Sequence, residues 1–203
     1  MHHAFPEEAI QTQCLKIVHD VLGNAYVSVF IKNFRLVEND EDKTSHVKCT
    51  ISFSNDWKDI FIKGVGYGMV DALFNSMMKK FTKDFSSLSQ IEFDDFAMYI
   101  KFKNLLATKT DAPVEIKIAL KNKEGQRIYF SSEARSMVGA AISAIRKAFE
   151  YLINAERAFL HLQEDIEDAA ERNRVDLASI YTSQVATLVR VLSYEEAVKK
   201  NTY

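Results

Sequence analysis

IFIKGVGYGMVDALFNSMMKKF, residues 60–81, lines up without a gap on IYFSSEARSMVGAAISAIRKAF, residues 128–149, at an offset of 68. Six of the 22 positions are identical: Ile60/Ile128, Met69/Met137, Val70/Val138, Ala72/Ala140, Lys79/Lys147 and Phe81/Phe149. Each copy opens on a β-rich run and passes through small residues into an apolar stripe at spacings of three and four. The stripe is Val70, Leu73, Phe74, Met77, Met78 and Phe81 in the first copy. In the second it is Val138, Ala141, Ile142, Ile145, Phe149 and Leu152. A strand pattern that gives way to a period of 3.6 reads as strand then helix, and its recurrence at a fixed distance reads as an internal duplication.

Working outward, two further β-rich runs precede each copy. Runs at 26–37 and 46–53 lead to the strand at 57–63, and runs at 91–102 and 114–120 lead to the one at 127–130. The acidic loop 38–42, Ser54-Asn55-Asp56 and Lys123-Glu124-Gly125 supply the turns between them. Ahead of the first unit, Ile10, Cys14, Ile17, Val18, Val21 and Leu22 recur at helical spacing. Pro6 suits the first turn of that helix, and Gly23-Asn24 its stop. Beyond Ala155 no Gly or Pro intervenes, so Phe159, Leu162 and Ile166 prolong the second helix to about residue 170. Another helix is predicted over 176–192, with Leu177, Ile180, Tyr181, Gln184, Val185 and Leu188 on one side.

The expected fold is therefore α+β: a duplicated unit of three strands followed by a helix, its antiparallel sheets covered by helices. The domains expected are an N-terminal helix at 1–25, the duplicated domain at 26–155 with units 26–84 and 85–155, and a C-terminal helical extension at 156–203. The helices offer more surface than a six-stranded sheet needs, which motivates an expectation of oligomers.

Composition narrows the function classes. The chain has 203 residues, 47% hydrophobic and 27% charged, enough for a core without metal or disulfide staples. A net charge of −2 gives no global pull toward phosphate backbones or anionic lipid, and argues against nucleic acid as a partner. No apolar run approaches bilayer length and no signal-like segment opens the chain, so a cytoplasmic address is expected. Cys14 and Cys49 stand apart among apolar neighbours and read as reduced structural thiols.

No catalytic constellation emerges. His2, His3, His19, His46 and His161 are scattered without metal-ligand spacing, and no serine or cysteine has a motif-supported base. No metal, cofactor or catalytic residue is expected. Asp94-Asp95 and the acidic pairs 164–165 and 167–168 read as solvated surface. The one ligand-ready feature is Gly64-x-Gly66-x-Gly68 before a helix, where backbone N–H groups and the positive helix end favour a carboxylate or phosphate. Glycines that merely permit a tight turn into the helix would look the same. Asp71, in the first turn, suits the helix dipole and could also receive an ammonium group.

Residues 66–74, Gly-Tyr-Gly-Met-Val-Asp-Ala-Leu-Phe, resemble the G-x-G-P-V-D-A pattern of the C-terminal allosteric (dimerisation) domain of 2-isopropylmalate synthase and its citramalate synthase relatives. A second likeness lies in the strand 114–120, Gly125, the run 128–132 and Met137-Val138-Gly139-Ala140-Ala141. The resemblance covers 26–152. It implies a stand-alone regulatory domain that forms a homodimer and takes a branched-chain amino acid or similar metabolite, acting on a separate catalytic or target protein because the family's catalytic barrel is missing. Carried onto matching positions, it makes Gly66, Gly68, Val70 and Asp71 the carboxylate-facing set, with Ala72 and Phe74 as apolar wall. Met69 stands where the family has Pro. Two other readings remain open: a ligand-free dimeric scaffold or protein-interaction module, and a module similar to double-stranded RNA-binding domains, which lacks the expected lysines at 132–136.

Overall fold

The computed structural model describes residues 6–56, 58–100 and 112–192, so His2, His3, Trp57 and the last two positions of the run 91–102 lie outside the described residues. The elements are α1 (Pro6–Leu22), β1 (Val29–Asn39), β2 (Thr44–Phe53), β3 (Ile60–Gly66), α2 (Met69–Phe81), β4 (Ile91–Ile100), β5 (Val114–Asn122), β6 (Arg127–Ala134), α3 (Met137–Glu171) and α4 (Val175–Leu192). Short 3-10 turns at Gly23–Ala25 and Ser86–Gln90 precede the first strand of each unit. The α+β class and the duplicated order are as expected.

The six strands form two sheets, β1-β2-β3 and β4-β5-β6, antiparallel throughout. Within each unit consecutive strands pair with one another, and α2 stands between β3 and β4, so each unit keeps its own sheet. Each first strand carries a bulge at a corresponding place, between Lys32 and Arg35 in β1 and between Phe93 and Asp95 in β4. Asn33 takes a positive φ of 52° in the first bulge. The second turns Asp94 inward to a side-chain exposure of 12%, with Arg127 Nε at 2.7 Å and Lys121 Nζ at 3.5 Å. Asp94 is thus a half-buried ion-pair centre and not the solvated acid expected; the extra residue of the bulge re-aims it.

One apolar core joins both sheets to α1, α2, α3 and α4. Phe81 and Phe149, an identical pair in the duplication, meet there at a ring separation of 6.3 Å. Phe74 packs edge-on against Phe149 at 5.6 Å and Phe93 at 5.2 Å. Cys14 and Cys49 are free and buried. Burial pushes each thiol up to about 11, a little offset at Cys14 by a hydrogen bond with Tyr151.

Helix α3 is 35 residues long, about 52 Å at 1.5 Å per residue. It runs unbroken through Ala155, because nothing between Gly139 and Glu171 interrupts the pattern and the turns around 148–159 are buried on nearly every side. Its buried polar side chains fasten the lead-in segments of both units. Asn154 accepts the Val27 N–H at 2.9 Å and donates to the Val27 carbonyl at 2.7 Å. Glu150 accepts the Val29 N–H at 2.9 Å. Glu156 accepts the N–H groups of Ser86 and Ser87, each at 3.0 Å, and the Ser87 hydroxyl at 2.6 Å. In the segment 26–28, expected as strand, Val27 is held by Asn154 and Ser28 by Ser54, whose N–H it accepts at 3.0 Å, and β1 begins at Val29. Helix α4 returns to the core through Leu188, Val191 and Leu192.

Candidate functional site

Strand β3 delivers the chain into α2 through Tyr67 and Gly68. A Cβ on Gly64 would stand 2.4 Å from the Ala72 carbonyl oxygen, and one on Gly66 would stand 2.4 Å from Asp71 Oδ2. These two glycines are therefore required by the close approach of strand and helix. Gly68 is different: its φ of −169° is ordinary extended backbone, and a Cβ there would meet nothing within 4 Å.

Asp71 bends back over the connection. Its Oδ2 accepts the Tyr67 N–H at 3.0 Å and its Oδ1 accepts the side-chain amide of Asn75. The carboxylate stays exposed, next to the positive end of the helix. Gly68 offers no side-chain cap, and the helix opens with the bond from the Ala72 N–H to the Gly68 carbonyl at 2.9 Å. The N–H groups of Met69, Val70 and Asp71 precede it. Tyr67, 90% exposed, stands beside them.

Of the six residues singled out from the sequence, Gly66, Gly68, Val70 and Asp71 come together at this helix start. Ala72 and Phe74 do not share the opening: both lie in the core, and Phe74 is enclosed by Phe93 and Phe149. The same place in the second unit is closed. There Ser136 is the N-cap of α3 and its Oγ accepts the Gly139 N–H at 3.3 Å.

Sequence reading missed a second feature. A cavity of about 430 Å³ lies against β2, β3 and α2, lined among others by His46, Lys48, Lys63, Asn75, Ser76 and Lys79. These residues are distant in sequence. The signal that could have found them is strand register, which sets Lys48 directly across from Lys63.

Residues 8–153 match the model of the LeuA allosteric (dimerisation) domain, well over half of the chain. The chain belongs to the LeuA allosteric (dimerisation) domain family. The match to this family begins within α1 and ends within α3, so the N-terminal helix, outside the motif likeness at 26–152, is part of the LeuA domain. The second half of α3 and all of α4 lie beyond it. No curated protein matches the chain. Among the described residues no group of three or more His, Cys, Asp or Glu is arranged to hold a metal, and no helix is long and apolar enough to cross a membrane.

Proposed function

We propose that this LeuA-type domain is a homodimeric regulator that takes a small amino acid, of the branched-chain kind, at the start of α2 and passes the signal to a separate catalytic or target protein in the cytoplasm. One observation carries the ligand reading: the duplication leaves the α2 start uncapped at Gly68 while Ser136 closes the α3 start. A ligand carboxylate suits the first-turn N–H groups of Val70 and Asp71, and its ammonium suits the exposed Asp71 carboxylate. Since Ala72 and Phe74 are buried, the apolar contact to the ligand falls to Tyr67 and Met69, with the partner subunit completing the enclosure.

For the dimer, β4 is an edge strand whose Phe96, Met98 and Ile100 are 40–50% exposed, although their strand partners Ile118, Ile116 and Val114 are buried or half-buried. A strip of this kind along an open sheet edge suits a second copy of the chain.

Thermal unfolding with each of the twenty amino acids tests the sensor reading, because a ligand at 100 times its dissociation constant adds about 2.7 kcal/mol of stability. A shift with leucine, isoleucine or valine that disappears in Asp71→Ala is expected. No shift with any amino acid would sink it. Light scattering on Met98→Asp addresses the dimer, with a monomer expected where the parent chain is dimeric.

A further inference from the structure

On the outer face of the first sheet, register places Arg35 opposite Lys48 and Lys48 opposite Lys63. Three cations thus stand in one row across three strands. Lys79 joins them from α2, at the rim of the cavity that Lys48 and Lys63 also line. Among the described residues, no carboxylate lies within ion-pair distance of Arg35, Lys48, Lys63 or Lys79. Lys63 only leans over the ring of Phe61, 5.4 Å from its centre. Like charges set directly opposite in a sheet repel, so the row opposes folding unless something neutralises it.

The second unit provides an internal control. By the same register its row reads Ala97, Lys117, Ser131, a single cation. Glu115 stands there in the place of His46, beside Glu133 in the place of Val65. Lys147, the counterpart of Lys79, donates to the Ser131 carbonyl at 2.7 Å and is thereby held. The duplicated backbone does not demand the cationic row; only one copy has it.

From this we infer a second ligand site, in the 430 Å³ cavity, for a small molecule carrying two or more negative charges, a phosphate ester or a polycarboxylate. Lys48, Lys63 and Lys79 supply the charge. Asn75 has a second amide N–H to offer at the cavity wall and His46 a ring nitrogen, while Ser76, whose hydroxyl donates to the Leu73 carbonyl at 2.9 Å, only shapes that wall. The site is separate from the amino-acid position at Gly68 and stands or falls without it. Asn75 nonetheless touches both, since its amide is held by Asp71.

Titration calorimetry on the full chain at constant ionic strength tests it, with inorganic pyrophosphate and citrate as probes. Saturable one-site binding of at least one probe is expected. Lys63→Ala and Lys79→Ala should each weaken it about tenfold, the loss of one charge-assisted contact. Lys117→Ala, the counterpart of Lys48 in the other unit, should leave it unchanged. Preference for pyrophosphate assigns a phosphoryl ligand, and preference for citrate a polycarboxylate. No saturable binding of either probe at millimolar concentration overturns the proposal, as does equal weakening by Lys117→Ala. Lys63, Lys79 and Lys117 are all exposed, so circular dichroism and the unfolding midpoint of each variant show that the fold is kept.

Discussion

In the first unit the helix after the third strand begins at a bare glycine, with a carboxylate folded over it and a row of cations on the sheet behind. In the second, the corresponding helix begins under a serine hydroxyl, and the sheet behind carries a mixed-charge face. The exchange is reciprocal even inside the contact between strand and helix. Gly64 faces Ser76, whereas the aligned pair is Ser132 and Ala144, so the small residue and the hydroxyl have traded elements. One backbone plan has been kept open on one side and closed on the other. The half that departs from capping and charge balance is the half where a ligand is expected.

The sharpest way to break this contrast is at the place where the halves are not independent. Phe149 belongs to the second unit but touches Phe74 and Phe81 of the first. Phe149→Ala should cost about 4 kcal/mol, read as a lower urea midpoint in a single transition; two separate transitions would mean that the units fold apart. Next in size, Gly64→Ala should cost about 3 kcal/mol, since the added methyl meets helix backbone, while Ser132→Ala at the aligned position should stay within about 0.5 kcal/mol.

The thiols give a pH-dependent difference. Folding raises Cys14 and Cys49 from near 9 to about 11, so their neutral forms favour the native state. That stability is fully present below pH 9 and is lost as pH rises toward 11. Cys49→Val, which imitates Ile118 of the second unit, should flatten part of that alkaline loss in unfolding curves taken at successive pH values. The smallest effects lie at the helix starts. Ser136→Ala should cost about 1 kcal/mol. Gly68→Ser should gain a few tenths by supplying the missing cap, and should blunt any amino-acid-induced thermal shift.

Much of the fold is legible in the sequence. Pro6 and Gly23 bracket α1, and the absence of Gly or Pro beyond Ala155 foretells that α3 runs on to about residue 170. The periodic stripes of both copies, Val138 apart, lie in or against the core. What escaped were features set by distant partners. Nothing local to 26–28 says that Asn154 will hold it, and a bulge leaves no mark in alternation when Asp94 resembles any surface acid. At the candidate site, Asp71 and Gly68 were visible because helix starts have local rules. Ala72 and Phe74 were carried over with the motif, and only packing shows that they point away from the opening. The cationic row was invisible, because it exists only in register between strands.

The long third helix separates two boundaries that are easily equated. The stretch shared with relatives stops at residue 153. A chain cut there would keep every strand and still lack Asn154 and Glu156, which hold the approaches to both sheets, and Phe159 and Leu162 of the core. What this protein inherited in common and what it needs in order to stand are of different lengths, and the surplus is structural material rather than an appendage.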